Sequence, residues 1–369
     1  MKILIQGYYG FGNLGDDILM KVTFWIVKER FPQSEIKIFS NASQEGRNYI
    51  DKIIGEKVSI INYSYNDHFD LIIHGGGGIH YDYETNSFKF TLLNKLIRLF
   101  GYKYYVAFYK WYKRIKGKEN ITTSNRIGIG IGVGTFTLSS KKFYTSLSIL
   151  ADYNLLLVRD KLSLARARQY VKGDKLVLST DLAFMKDYWH PKILPQNAAN
   201  ARKKVGVVLR NWKFDTKHIA DLTVVTDKLR DQQIDFTFFM FQNKDDNAIS
   251  SLLPKEAIVK YWNPNSESMD EYLGLIATQD IIITSRFHGA IIASSFGIPS
   301  IVLAIEPKLE SLNEILPSAT TMNLPVDGQL LFEKIIDNLG KLKQLKLLAM
   351  DDYEANSKKI NKNLSDLKF

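Results

Sequence analysis

The sequence predicts two Rossmann-like α/β domains with a cleft between them, and three observations carry that prediction. Short apolar runs alternate with amphipathic stretches along the chain. Most of those runs are continuous rather than alternating, as strands covered by helices on both faces must be. The chain has 369 residues, more than the roughly 250–300 at which a single core stops growing.

Taken in order, residues 2–7 read as a strand and 16–30 as a helix. Residues 35–40 and 71–74 are strands, and 127–132 is a strand followed by a helix over 141–151. A strand over 155–158, a helix over 162–170 and a short strand over 176–178 complete the first half. Pro191-Lys192-Ile193-Leu194-Pro195-Gln196-Asn197 then breaks the alternation and suits a domain boundary. The second half repeats the scheme. Strands are expected at 204–210, 236–241, 258–261, 280–284 and 300–304, and helices at 219–232, 268–277 and 290–296. The tail from 329 to 367 reads as helical. The expected domains are 1–190, carrying an insertion at 88–118, and 200–369. Parallel strands need right-handed crossovers, which leaves few other topologies. No internal repeat is visible.

The absence of cysteine excludes a disulfide framework, zinc-finger spacing and a thiol nucleophile, and fits a reducing cytoplasm. The chain enters a strand at Met1-Lys2-Ile3-Leu4-Ile5 without a signal-peptide layout. No window offers the ~20 apolar residues of a membrane span. The net charge of +10 is local: residues 88–118 hold nine Lys and Arg and no Asp or Glu.

Residues 284–289, Thr-Ser-Arg-Phe-His-Gly, carry the most chemistry. They join the apolar run Ile281-Ile282-Ile283 to the small-residue helix that starts at Ala290. Strand-to-helix turns of this kind place ligands in α/β proteins and aim free backbone N–H groups at anions. Arg286 can grip a phosphate or carboxylate with two hydrogen bonds, and His288 can move a proton near neutral pH. The plainer alternative is that Arg286 packs at the surface and His288 caps the helix. Arg159 and Arg210 also follow predicted strands, and Lys308 follows 300–304. Together they suggest a compact, highly charged anionic substrate. The first strand ends in Gly7-Tyr8-Tyr9-Gly10-Phe11-Gly12-Asn13-Leu14-Gly15-Asp16-Asp17, which reads as a phosphate or sugar cradle. It lacks the Gly-Lys-Ser/Thr of a Walker loop. Gly12 lets the chain approach a ligand, and Asn13 or Asp16 can hold an acceptor hydroxyl. Asp16 and Asp17 can equally serve as helix caps. His74-Gly75-Gly76-Gly77-Gly78 reads as a wide loop lining the cleft through Gly76 and Gly77. The alternating glycines from Gly128 to Gly134 mark close strand–helix packing or a ligand-facing strand end. His74 and His80 lack a third ligand at zinc spacing, so no metal is expected.

The ordered set resembles the polysaccharide pyruvyl transferase family. The matching pieces are Gly7 to Asp16, Gly75 to Gly78, Gly128-Ile129-Gly130, Val158-Arg159-Asp160, Asp181-Leu182-Ala183-Phe184, Arg210-Asn211-Trp212, Ser285-Arg286-Phe287-His288-Gly289 and Gly297-Ile298-Pro299. One departure is Gly289, where the family often has alanine; this change is expected to be small. The resemblance implies a GT-B-like fold, with the acceptor on residues 1–190 and the donor on 200–369. It implies transfer of a pyruvyl group from phosphoenolpyruvate to a sugar as a ketal, with no cofactor. It further implies that Arg159, His288 and Lys308 serve the donor, with His288 as acid and Arg159 in the catalytic set. Arg286 and Arg210 join them as substrate-binding cations by position and charge.

Within 88–118, apolar Leu92, Leu93, Leu96, Ile97 and Phe100 face away from Lys95 and Arg98. Aromatic Tyr104, Tyr105, Phe108, Trp111 and Tyr112 likewise oppose Lys110, Lys113 and Arg114. This is the layout of an in-plane helix on an anionic membrane, and it fits a lipid-linked glycan acceptor. The expected location is the cytoplasm, with a peripheral seat on the inner face of the plasma membrane as the refinement. Packing of the same stretch on the protein is the alternative. Nucleic acid is not an expected partner, because no binding motif accompanies the charge. The rival function is a GT-B glycosyltransferase using a nucleotide sugar, for which Glu306 and Glu314 offer an E-x7-E spacing. A non-catalytic membrane scaffold is a third reading, and it has no use for His288 among cations. The acceptor sugar and the oligomeric state are not written in the chain.

Overall fold

The computed structural model describes residues 1–63, 65–81, 107, 121–136, 140–190, 202–211, 217–242, 246, 249, 252–254 and 256–367. The chain forms two compact units. One comprises Met1–Tyr9 and Thr23–Leu182, the other Gly10–Val22 and Ala183–Phe369. The expected boundary near 190–200 is therefore drawn after Leu182. The glycine-rich segment from Gly10 belongs with the second unit, although the strand before it belongs to the first.

The first unit is a seven-stranded sheet of order β3-β2-β1-β4-β5-β6-β7. Its strands are β1 (Lys2–Gln6), β2 (Glu35–Phe39), β3 (Ser59–Ile61), β4 (Asp67–His80), β5 (Ile121–Val133), β6 (Leu155–Val158) and β7 (Leu176–Leu178). All neighbours are parallel. Helix α1 (Leu14–Arg30) follows β1. Ser140 and Asp160 start the helices Lys141–Leu150 and Lys161–Ala167 by accepting the N–H of Phe143 and Ser163, the usual work of an N-cap.

The glycine run after His74 is not a loop. Strand β4 continues through it and pairs with β5 at Gly75, Gly77 and Gly78. Its glycines answer to packing and backbone shape. A Cβ on Gly75 would lie 2.1 Å from Thr23 Oγ1, and Gly76 and Gly77 hold φ of 73° and 81° inside the strand.

Three polar rings, His74 and His80 of this strand and Tyr153, are buried together. The Tyr153 hydroxyl bridges His74 Nδ1 at 2.9 Å and His80 Nε2 at 3.0 Å. Burial keeps both histidines neutral. It pushes His74 well below its ordinary value and His80 down to about 3, with the Arg126 charge adding to each shift. The unfolded chain therefore binds protons that the folded unit refuses, and stability falls as pH drops from about 6.5 toward 3. Moving from pH 7 to pH 5 should cost about 2 kcal/mol through His80 alone. Urea denaturation at the two pH values checks this. The loss should shrink in His80→Gln, and equal slopes for wild type and variant would rule it out.

The second unit is a six-stranded parallel sheet of order β10-β9-β8-β11-β12-β13. Its strands are β8 (Lys204–Leu209), β9 (Asp235–Met240), β10 (Ile258–Tyr261), β11 (Ile281–Thr284), β12 (Ser300–Ala304) and β13 (Thr320–Asn323). The central strand β11 is buried along its whole length. A Ser268–Glu271 capping box opens the helix Met269–Ala277. The helical tail runs as Gly328–Gly340 and Leu342–Ser365.

Candidate active site

Strands β8 and β11 are neighbours although β9 and β10 lie between them in sequence. The crossover direction reverses at this pair, and ligands bind beyond the carboxyl ends of such strands. The two loops that leave those ends begin with Arg210 and with Ser285-Arg286.

The turn after β11 is built by Thr284. Its hydroxyl accepts the N–H of Arg286 and donates to the carbonyl of Arg286, both at 3.0 Å. This closes the strand and starts the helix Phe287–Ser295, with His288 in its first turn. The same hydroxyl explains Gly289, where a Cβ would lie 2.2 Å from Thr284 Oγ1. Glycine there is a requirement of this turn, not the small change expected. Ser285 ties the neighbouring strand in, its Oγ accepting the N–H of Arg210 at 2.9 Å.

Two buried carboxylates organise the cations. Asp246 receives Arg286 Nη2 on both oxygens, at 2.6 and 2.5 Å. It also accepts the N–H of Gln242 at 3.0 Å and of Asn211 at 3.3 Å. Arg286 Nε donates to the carbonyl of Leu209 at 3.0 Å. Asp246 and the Leu209 carbonyl thus hold Arg286 inside the protein, where it pins loops together. Glu306, whose side chain is fully buried, takes Arg210 Nη1 at 2.5 Å and Lys308 Nζ at 2.7 Å on the same oxygen. Both nitrogens sit on one atom, so they lie within about 5 Å of each other, close enough to serve one phosphate. The side chains of Arg210 and Lys308 are 25% and 31% exposed, so part of each is open to solvent.

The start of α1 completes the group. Asn13 forms an isolated bridge with Gln242, and its Nδ2 donates to Gln242 Oε1 at 3.2 Å. The N–H of Leu14 donates to the carbonyl of Phe241 at 3.0 Å. Asn13 Oδ1 accepts the N–H of Gly15 at 3.1 Å, so asparagine does the capping expected of the aspartates. Asp17 is instead buried and accepts Trp262 Nε1 at 2.8 Å. Asp16 is half-buried on the first turn. Gly12 has φ 65° with open space where a Cβ would stand, so backbone shape alone demands glycine. Gly15 lies directly against the imidazole of His288. The N-terminal ends of α1 and of Phe287–Ser295 therefore meet around His288, and both favour negative charge.

Arg159, Gly76 and Gly77 belong to the first unit. Arg159 is 4% exposed and pairs with Asp160 at 3.2 Å and Asp181 at 3.4 Å. Its guanidinium lies where a Cβ of Gly132 would be, 2.8 Å from Cζ, so that glycine makes room for it. Lys95, Arg98, Lys110, Trp111, Lys113 and Arg114 lie outside the described residues. The E-x7-E pair divides, with Glu306 buried between two cations and Glu314 exposed. Among the described residues no group of three or more His, Cys, Asp or Glu is placed to hold a metal ion, and no helix is long and apolar enough to cross a membrane.

Asp246, Gln242 and Trp262 escaped the sequence reading. Asp246 sits in the polar run Asn243-Lys244-Asp245-Asp246-Asn247, which reads as a solvated loop. Its partner Arg286 is 40 residues away.

A family model described as polysaccharide pyruvyl transferase matches residues 13–307. No curated protein gives a significant match. Among solved structures, the chain is similar to the UDP-GlcNAc 2-epimerase of Neisseria meningitidis bound to UDP-GlcNAc, with 13% identity, TM-score 0.58 and full coverage of both chains. It is also similar to the UDP-GlcNAc 2-epimerase of Methanocaldococcus jannaschii, with 10% identity and TM-score 0.58 over 92% of this chain and 93% of that one. The Anabaena protein HepE in complex with UDP-glucose gives 10% identity and TM-score 0.55 over 99% and 98%. At such identities the likeness speaks to the fold, which is GT-B-like.

Proposed function

The chain belongs to the polysaccharide pyruvyl transferase family, and from that premise we propose that it takes the pyruvyl group from phosphoenolpyruvate. As a member of the family it is a transferase with a glycan acceptor. The proposed acceptor is a lipid-linked precursor of a cell-surface polysaccharide, which the basic amphipathic stretch 88–118 favours. The observation that carries the reading is the grouping around His288. An imidazole stands at two helix N-termini, beside a loop system that holds Arg210 and Lys308 on one buried carboxylate. A small donor with a carboxylate and a phosphate suits such a seat.

In the proposed reaction His288 donates a proton to the methylene carbon of the enol. One sugar hydroxyl attacks the resulting oxocarbenium-like carbon. The bond to phosphate breaks, and a second hydroxyl closes the ketal. Of the two hydroxyl protons, one is accounted for on the new methyl group and one on phosphate. Arg210 and Lys308 stabilise the charge that collects on the leaving phosphate. Asp16 and Asn13 hold the acceptor hydroxyl. The family resemblance implies a donor role for Arg159, whose guanidinium is fixed within its own unit by Asp160 and Asp181.

The test is incubation with phosphoenolpyruvate and a panel of nucleotide-linked and lipid-linked glycans, the latter in anionic vesicles. Phosphate release should require both substrates, and the glycan should gain the mass of a pyruvate ketal. Consumption of a UDP-sugar with phosphoenolpyruvate untouched would replace this reading with the glycosyltransferase one.

A further inference from the structure

We propose that Gly15 is the positioning residue of His288, its missing side chain being the seat of the imidazole. The proposal rests on the reading of His288 as proton donor and adds a residue that aims it. Gly15 is the second residue of α1 and is not among the glycines with positive φ. Backbone shape therefore does not demand glycine, and alanine is the better helix former. What excludes a side chain is His288: a Cβ on Gly15 would lie 2.1 Å from its Nδ1, 2.7 Å from Cγ and 3.0 Å from Cβ. Ring and stem are both crowded, so a small tilt of the ring does not make room.

Neither backbone can retreat. The start of α1 is held by the Leu14 N–H on Phe241, by the Asn13 side chain on Gly15 and Gln242, and by Asp17 on Trp262. The start of the His288 helix is held by the Thr284 turn, against which Gly289 is packed. The displacement falls on the imidazole, which must leave its rotamer and with it the direction of its proton.

The experiment compares wild type, Gly15→Ala, His288→Ala and the double variant. Gly15→Ala is expected to keep its melting temperature, lower kcat by about 100-fold, as misplacement by ~1 Å does, and leave KM for phosphoenolpyruvate within about threefold. The His288 ring signal in a 1H–13C NMR spectrum, assigned by its loss in His288→Ala, should move. Adding Gly15→Ala to His288→Ala should cost no further activity. If Gly15→Ala alone fails to fold, the double variant should fold, because the clashing ring is gone; an unfolded double variant overturns the proposal. Unchanged kcat in folded Gly15→Ala, or an unmoved ring signal, also overturns it. Ring signal and folding are read without substrates. A wrong donor would show instead as a wild-type enzyme that ignores phosphoenolpyruvate.

Discussion

Asparagine in place of His288 should lower kcat by about 10²- to 10⁴-fold, the range that a positioned general acid supplies, while phosphoenolpyruvate still binds. The two effects separate because different groups carry them. Arg210 and Lys308 are held by Glu306, and the turn that presents position 288 is held by Thr284 and Ser285. None of these contacts uses the imidazole. Titration calorimetry with phosphoenolpyruvate and steady-state turnover measure the two sides. In D2O the wild-type product should carry one deuterium on its new methyl group, placed there by the acid. In His288→Asn the rate of that incorporation should fall with kcat. A variant that turns over at the wild-type rate would remove His288 from proton transfer, and one that loses donor binding would make it a ligand instead.

Apart from β13 (Thr320–Asn323), which has no apolar run and was not expected, the strands that build the second sheet were legible, most of them as continuous apolar runs. Ile281-Ile282-Ile283 is the clearest, and it became the buried centre of the sheet. The place of Arg210 and His288 at the carboxyl edge was legible for a related reason: a polar residue just past a buried strand has few other places to go. Two kinds of feature could not be read. One is a strand made of glycine. Gly75 to Gly78 has no side chains to show a period, so β4 looked like a loop where it continues as a strand. The other is a buried charge whose partner is remote. Asp246 and Glu306 have the composition of solvated loops, and only the fold brings them to Arg286, Arg210 and Lys308. That pairing decides what each cation does. Arg286 is buried on Asp246, whereas Arg210 and Lys308 are partly exposed and meet on one oxygen of Glu306. Glu306 was noticed through its spacing from Glu314, a signal of nucleotide-sugar chemistry, yet in the fold it serves the cations.

The largest effect on stability should come from Asp246→Ala, which is expected to destabilise the protein by about 3–5 kcal/mol, the usual cost of leaving a buried charge without its partner. Asp246 is 0% exposed and Arg286 is 7% exposed, so water does not readily replace the lost carboxylate. The N–H groups of Gln242 and Asn211 lose an acceptor at the same time. Urea denaturation gives the loss, and a shift under about 1 kcal/mol, the size of an exposed ion pair, would show that the pair is not buried in solution. Removing both charges in Asp246→Ala/Arg286→Met should recover much of that stability, because the uncompensated guanidinium is gone. Turnover should not recover with it. Gln242 would still lack the carboxylate that fixes its backbone, and Gln242 holds Asn13 beside Gly15 and His288. A double variant that is stable yet slow would assign Asp246 to aligning the site as well as to folding; one that regains both would confine it to the fold.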